Sequence, residues 1–215
     1  MKKVLLTGFT PFAGESLNSS WEVVRQLQST SLTNAQVYIV QVPTVFQKSL
    51  KLLQEKIAQI RPEIVICVGQ AGGRCEIAVE RVALNIDDAR IPDNDGYQPI
   101  DQPVIPDGPN AYWSTLPTKA IVKQIRLGGI PATVSYSAGT FVCNHLFYGL
   151  AHEITTKYPK MKGGLIHIPY LPNQVNKCSN LPSMSLDISM KAIEIAILTS
   201  IEMDKDMEEA GGTLA

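Results

Sequence analysis

The sequence predicts an α/β protein, a single-domain α/β/α sandwich built on an open and mostly parallel sheet. Short β-branched runs alternate with helical patterns along most of the chain, and this alternation favours strands joined by helices. Runs such as IVICV at 64–68 are apolar at every position, which is typical of parallel strands covered on both faces. The length of 215 residues suits one such domain.

Each element has its own signal. Apolar runs predict strands over 3–7, 36–42, 63–69, 131–136 and 163–168. Thr44 and Gln47 predict a capping box at the start of an amphipathic helix. The apolar positions of that helix are Phe46, Leu50, Leu53, Ile57 and Ile60. Less regular patterns predict helices near 19–30, 118–128, 143–158 and 185–204, the first capped by Asn18 or Ser19.

Two segments depart from the alternation. Residues 86–117 contain six of the chain's 14 prolines, and so long a connection inside a compact domain is usually functional or disordered. Tyr112 and Trp113 within it favour an ordered flap. The tail at 203–215 is first acidic and then made of small residues, so we expect it to fray.

Composition excludes several classes of function. Nineteen Lys and Arg residues balance 20 Asp and Glu residues, so the basic surface of a nucleic-acid or membrane binder is missing. No run approaches the ~18 apolar residues of a membrane span, and no secretory signal is visible; we expect a cytoplasmic protein. Cys67, Cys75, Cys143 and Cys178 lack metal-ligand spacing, so we expect reduced thiols and no metal.

Cys143 is the cysteine whose position predicts chemistry. It follows a predicted strand and a flexible Ala-Gly pair, at the start of a predicted helix. The unpaired amides and the dipole of a helix start would stabilise a thiolate, lower its pKa and donate hydrogen bonds to an oxyanion. Most cysteines are simply small buried apolar residues, and this alternative stays open for Cys143.

A nucleophilic cysteine needs a base, and the chain has three histidines. On the helix that begins at Cys143, His145 and His152 project away from the apolar face, so we expect both at the surface. His167 remains, at the end of the strand over 163–168. It is either the base or a structural histidine that closes the strand.

Glu80 is the candidate for an orienting carboxylate. Strand alternation places it in an apolar row with Ala78, Val82 and Leu84, where an unpaired carboxylate is costly. Arg81 points to the other face in this register and is a poor partner. Glu80 therefore either orients His167 or forms a salt bridge with another Arg or Lys.

Six segments resemble the pyrrolidone carboxyl peptidases, also called pyroglutamyl peptidase I. They are TGFTPF at 7–12, GQAGGR at 69–74, ERVALN at 80–85, ARIPDN at 89–94, SYSAGTFVCN at 135–144 and IHIPY at 166–170. The resemblance implies a cytoplasmic cysteine exopeptidase that removes an N-terminal pyroglutamyl residue from peptides through a thioester acyl-enzyme. It also implies no cofactor, a homotetramer and a sandwich of the phosphorylase/hydrolase type. On matching positions, Cys143 is the nucleophile, His167 the base and Glu80 the orienting acid.

The resemblance also implies that Gln70 and Arg90 line the site, with Arg90 near the oxyanion. Pyroglutamate is a neutral lactam, so its slot should combine apolar walls with a few hydrogen bonds. Phe9 and Phe12 would supply the walls, and the amides of Asn18 and Gln70 complement the lactam group. The alternative for the loop at 8–18 is a plain turn with buried aromatic residues.

Two residues depart from the family pattern, and two other functions stay open. Ala13 stands where many members have glycine, and Ala78 where many have a hydroxyl residue. Glycosyl transfer of the nucleoside phosphorylase type is one alternative, because that architecture is shared. Ligand binding without turnover is the other.

Overall fold

The computed structural model describes residues 1–28, 30, 32–176 and 180–212. Its strands are β1 (Lys2–Phe9), β2 (Ala35–Val42), β3 (Ile64–Gln70), β4 (Ile77–Glu80), β5 (Val82–Leu84), β6 (Ala111–Trp113), β7 (Ala132–Ser135) and β8 (Lys162–Ile168). Its helices are α1 (Ser19–Leu27), α2 (Phe46–Ile60), α3 (Thr118–Leu127), α4 (Val142–Thr156), α5 (Pro172–Val175) and α6 (Leu186–Glu202).

The central sheet has six strands in the order β2-β1-β3-β8-β4-β7. Strands β2, β1, β3 and β8 run parallel to one another. Strand β4 is antiparallel to β8 and parallel to β7, so the last two strands run in the opposite direction to the others. The predicted α/β class with a mostly parallel open sheet is confirmed.

Helices cover both faces of this sheet because its strands alternate between two apolar clusters. Val4 and Leu6 of β1 lie in a cluster with residues of α1, α3 and α6. Leu5 lies in the opposite cluster with residues of α2 and α4. Every residue of β3 is buried, as its uninterrupted apolar run predicted. Burying each large side chain of this kind stabilises the fold by about 1.5–3 kcal/mol.

The five predicted strands of the sheet lie within two residues of their observed bounds, but the capping box predicted for α2 is wrong. The Thr44 hydroxyl instead donates to the Thr10 carbonyl oxygen at 2.7 Å. The Phe46 amide donates to Asp93 Oδ2 at 3.1 Å, so the start of α2 is capped by a residue far along the chain. Asn18 does cap α1, accepting a hydrogen bond from the Ser20 amide.

Three other features of the secondary structure differ from the predictions made from the sequence. Helix α1 ends at Leu27, before the predicted end at 30. The alternating run at 76–84 is not one strand, because β4 ends at Glu80 and β5 pairs with β6 in a separate two-stranded sheet. The short helix α5 gave no recognisable signal in the sequence.

The proline-rich flap over 86–117 is held by hydrogen bonds at both ends. The Asp87 and Gln102 backbones bond each other in both directions. The side-chain amide of Asn85 donates to the Ile105 carbonyl oxygen and accepts a hydrogen bond from the Ile105 backbone amide. Tyr112 packs against Tyr148 of α4, whose hydroxyl donates to a backbone carbonyl oxygen in the flap.

The start of the tail packs on α3, in contrast to the fraying expected over 203–215. The Asp206 carboxylate accepts hydrogen bonds from the amides of Lys119 and Ala120 at 3.1 Å and from the Thr118 hydroxyl at 3.0 Å. Tyr136 donates to the Gly211 carbonyl oxygen at 2.8 Å. Residues 213–215 lie outside the described residues. In the part of the chain that the structure describes, no helix could cross a membrane.

Candidate active site

A polar cluster interrupts one face of the sheet where β3, β8 and β4 lie side by side. His167 of β8 is next to Gly69 of β3 on one side and Ala78 of β4 on the other. Glu80, two residues after Ala78, points to the same face because side chains alternate along a strand. Its Oε1 atom lies 2.8 Å from His167 Nδ1.

This contact fixes the tautomer of the imidazole. An ionised carboxylate only accepts hydrogen bonds, so Nδ1 carries the proton that His167 donates to Glu80. In the neutral imidazole, Nε2 is then the nitrogen with the free lone pair. Glu80 is fully buried and His167 almost so, which shields the contact from water.

Cys143 lies over the same face, as the second residue of α4. Gly69 shows how close it comes to the imidazole. A Cβ built on Gly69 would lie 2.9 Å from His167 Nε2 and 3.1 Å from Cys143 Sγ. The two atoms therefore border one point, and a side chain at position 69 would occupy it. Gly69 begins the GQAGGR segment at 69–74, and no sequence pattern predicted a role for it at this position; the available signal was a glycine at the end of a predicted strand.

Burial raises the pKa of the Cys143 thiol to about 12, and the nearby Cys67 and Glu80 act in the same direction. This is opposite to the lowering expected from the start of a helix. The side chain is half-buried and packs against the apolar cluster that contains Leu146 and Phe147. The resting sulfur in this environment is a neutral thiol.

Arg74 also contacts Glu80, although no sequence pattern predicted a role for it. Its Nη1 atom lies 3.2 Å from Glu80 Oε1 and 3.3 Å from the Ser135 hydroxyl. Its Nη2 atom donates to the Ser137 carbonyl oxygen at 3.2 Å. Both partners that the sequence offered for Glu80 are thus present, a histidine and a salt-bridging arginine. The signal for Arg74 was its position at the end of the GQAGGR segment at 69–74.

The aromatic residues predicted to line the slot have different surroundings. Phe9 is buried in the apolar cluster between the sheet, α2 and α4. Phe12 is half-buried, and its ring centre lies 6.0 Å from that of Phe141. Phe141 directly precedes α4 and packs against Phe46. Phe12 and Phe141 therefore lie near the start of the helix that carries Cys143.

The two predicted amides form hydrogen bonds with the protein itself. Asn18 Oδ1 accepts from the amide and hydroxyl of Ser20, and its Nδ2 donates to the Thr10 carbonyl oxygen. Gln70 Oε1 accepts from the Ser19 amide and from Gln174 Nε2, each at 2.8 Å. Gln70 follows Gly69 directly, so its side chain leaves β3 on the opposite face. Both amides brace the loops at the carboxyl end of β1 and β3.

Arg90 is exposed, on a segment tied to the loop before Cys143. The Asp88 amide donates to the Thr140 carbonyl oxygen at 3.0 Å. The Thr140 hydroxyl donates to the Asp88 carbonyl oxygen at 2.7 Å. These contacts hold the backbone that leads to Arg90 beside the start of α4.

The predicted surface position of His145 is wrong. The residue is fully buried, and its Nδ1 atom lies 2.7 Å from Oδ2 of the buried Asp87. Helical periodicity could not show this, because the flap covers that side of α4. His152 is half-buried, with Nδ1 3.0 Å from the Tyr112 hydroxyl. Within the described residues, neither histidine has a hydrogen bond with Cys143.

The structure also places two of the cysteines other than Cys143, and two further residues named from the sequence. Cys67 is fully buried in β3 and Cys75 is exposed, whereas Cys178 lies outside the described residues. Arg81 stacks over the Trp113 ring and does not bond Glu80. Ala13 adopts a left-handed backbone with φ of 53°, a conformation that glycine adopts more readily. Among the described residues, no cluster of His, Cys, Asp and Glu could hold a metal ion.

Solved structures and curated proteins closely resemble this chain. Pyroglutamyl peptidase I from Bacillus amyloliquefaciens superposes with a TM-score of 0.95 at 54% identity, over 97% of this chain and 99% of that one. Pyrrolidone carboxyl peptidase from Thermococcus litoralis gives 0.93 at 44% identity, over 98% and 99%. A pyrrolidone-carboxylate peptidase of Bacillus thuringiensis (strain Al Hakam) is 56% identical over 213 residues, 99% of either chain.

With these similarities, the fold is that of an α/β enzyme of the peptidase class, not of a phosphorylase. The model of the family described as pyroglutamyl peptidase matches residues 2–203. The chain belongs to the pyroglutamyl peptidase family.

Proposed function

We propose that this protein hydrolyses the N-terminal pyroglutamyl residue from peptides, with Cys143 as nucleophile, His167 as general base and Glu80 as orienting acid. One observation carries the assignment of roles. His167 Nε2 and Cys143 Sγ border the same point beside Gly69, while His167 Nδ1 is held by Glu80. A nucleophile, a base and a group that orients the base are the parts that covalent acyl transfer requires.

Acylation begins from the neutral thiol. His167 Nε2 takes the proton of Cys143 Sγ as the sulfur forms a bond with the pyroglutamyl carbonyl carbon, and the carbonyl electrons move to oxygen. The oxyanion then restores the carbonyl, the bond between carbon and the peptide nitrogen breaks, and His167 gives its proton to the leaving amine. The products are the shortened peptide and a thioester on Cys143.

Deacylation uses the same base. His167 Nε2 takes a proton from water, and the water oxygen attacks the thioester carbon. The bond between carbon and sulfur breaks, the sulfur recovers the proton, and pyroglutamate leaves. Glu80 stabilises the imidazolium that forms in both stages and does not itself take the proton.

The oxyanion would be stabilised by the start of α4. The first amides of a helix have no carbonyl partner within the helix, so those at the start of α4 would be free to donate to an oxyanion formed on a carbonyl at Cys143. Arg90 is the further candidate, because the contacts between Asp88 and Thr140 hold its segment near this helix start.

The substrate slot is proposed to include Phe9, Phe12, Asn18, Gln70 and Arg90. The half-buried Phe12 ring, next to Phe141, offers an apolar wall for the lactam ring. Asn18 and Gln70 would act mainly by fixing the loops around the slot, since their side chains already bond the protein. The mechanism requires no cofactor. Action in the cytoplasm and a homotetrameric assembly stay predictions from the resemblance.

A fluorogenic pyroglutamyl amide tests the proposal, assayed with and without a thiol reductant. Cys143→Ala should lose turnover by at least about 10³-fold while keeping the wild-type melting temperature, because the nucleophile is gone. Cys75→Ala, a change at an exposed cysteine, is the matched control and should keep wild-type turnover. Unchanged turnover in Cys143→Ala would exclude the cysteine mechanism. A wild-type protein that binds pyroglutamate without turnover would favour the binding-protein alternative.

A further inference from the structure

Glu80 is a carboxylate without access to water, so its charge must be balanced within the protein. Its Oε1 atom contacts both His167 and Arg74. Its Oε2 atom is buried and has no hydrogen-bond partner among the described residues. A neutral imidazole brings no positive charge, which leaves Arg74 as the cation in direct contact.

Few other charges face the imidazole. Glu80 reaches it from β4, Cys143 approaches it from α4, and Cys67 lies on the same face of β3. The two cysteines have raised pKa values near 12, so both are neutral thiols at physiological pH. Among the described residues, Glu80 and, through it, Arg74 are therefore the charged groups linked to His167 by hydrogen bonds, whereas Arg90 is exposed on the segment beside the start of α4.

We propose that Arg74 is a positioning residue that sets the pH at which His167 can act as a base. The proposal rests on the function proposed above, in which His167 accepts the Cys143 proton. The Arg74 charge offsets that of Glu80, so the neutral imidazole is not drawn into a permanent ion pair. The guanidinium also bonds the Ser137 carbonyl oxygen, which ties Glu80 to the loop that leads to Cys143.

The sign of the effect follows from charge balance. Without Arg74, the uncompensated carboxylate would stabilise the protonated imidazole, and a protonated base cannot accept the thiol proton. The acidic limb of the profile of kcat/KM against pH should then move to higher pH. Only the Glu80 carboxylate lies between the Arg74 guanidinium and the imidazole. Removing one unit charge at that distance should shift the acidic midpoint by about one pH unit.

Arg74→Gln and Arg74→Lys separate charge from shape. Profiles of kcat/KM against pH are measured on a pyroglutamyl amide at constant ionic strength, after a melting experiment shows that each variant is folded. Arg74→Gln should move the acidic midpoint up by about one pH unit, and Arg74→Lys should restore most of the wild-type midpoint because the charge is kept.

Arg126→Gln is the matched control, because it removes the same charge from a residue that bonds the Ala132 carbonyl oxygen instead of Glu80. Ala132 is the first residue of β7, whereas Ser135, which pairs with Glu80, is the last, so Arg126 lies at the far end of the strand from Glu80. Because solvent and salt screen a charge at that distance, the acidic midpoint should stay within about 0.2 pH unit of wild type. An Arg74→Gln midpoint that stays in place or moves to lower pH would overturn the proposal. So would an Arg74→Lys variant that shifts as far as Arg74→Gln. Failure of the proposed function is distinct, because the wild-type protein would then not cleave the amide at all.

Discussion

His167 Nδ1 lies 2.8 Å from Glu80 Oε1, although 87 positions of the chain separate the two residues. The reversed direction of β4 brings them together. Because β4 is antiparallel to β8, Ala78 pairs with His167, and Glu80 lies one diagonal step further on the same face. The carboxylate consequently reaches the imidazole from β4, a strand that lies between β8 and β7, and it is fully buried.

Glu80→Gln should leave a folded protein whose turnover of a pyroglutamyl amide is reduced about 10²-fold or more. The amide oxygen of glutamine can still accept from His167 Nδ1 and Arg74, so the geometry is kept. The charge that stabilises the imidazolium is lost, and the loss should appear mainly in kcat. Steady-state kinetics on the purified variant measure it.

Glu153→Gln provides the control for removing a buried carboxylate. Glu153 is buried on α4, where it accepts from Gln54 and Lys157, away from the cluster around His167. Its variant should lose some stability and keep wild-type kcat. A wild-type kcat in Glu80→Gln would make Glu80 a structural residue only.

The raised pKa of Cys143 predicts an unusual pH dependence of alkylation. Only the thiolate reacts with iodoacetamide, and a thiol with a pKa of about 12 gains thiolate roughly tenfold per pH unit across the whole range from 7 to 10. The inactivation rate should therefore still rise at pH 10. A plateau below pH 8 would show that the helix start and His167 outweigh burial.

Alkylation is measured on the Cys75→Ser variant, because the exposed Cys75 of the wild-type protein will also react. Peptide mapping should place the label responsible for inactivation on Cys143, and a pyroglutamate analogue should slow its attachment. Cys67 should stay unlabelled in the folded protein, since it is fully buried with its pKa also raised to about 12. Inactivation that follows a label on another cysteine would contradict the assignment of Cys143.

Asp206→Ala should lower the free energy of unfolding by about 1 kcal/mol, because Asp206 caps α3 in place of a residue at the helix start. Pro117, at the cap position itself, provides no side-chain hydrogen bond. Denaturant unfolding measures the difference. Asp204→Ala is the control, since the Asp204 side chain is 99% exposed and should contribute almost nothing.

The contribution of Asp206 should also depend on pH. Burial alone would raise the pKa of this carboxyl, but the hydrogen bonds from Lys119, Ala120, Met207 and Thr118 lower it below its ordinary value of 3.8. A lowered folded pKa means that the contribution is complete above 3.8 and is lost as the pH falls through the folded value. A difference between wild type and Asp206→Ala that grows in acid would contradict this role.

Local patterns predicted most of the helices and strands, and their errors have a common cause. The capping box predicted at Thr44 is wrong because the carboxylate of Asp93, far along the chain, accepts the hydrogen bond from the Phe46 amide. His145 was expected at the surface because periodicity describes only one helix, whereas the flap covers it with Asp87. In both cases a long-range partner overrides a local preference.

The sequence by itself determined the α/β class, through apolar runs that need cover on both faces. It also determined which cysteine, histidine and carboxylate stand out from their surroundings. Only the tertiary structure decided that His167 contacts Glu80, that His167 and Cys143 border one point beside Gly69, and that Arg74 contacts the buried carboxylate. The physical reason is that strand direction and register set distances between remote residues, whereas spacing along the chain sets only local geometry.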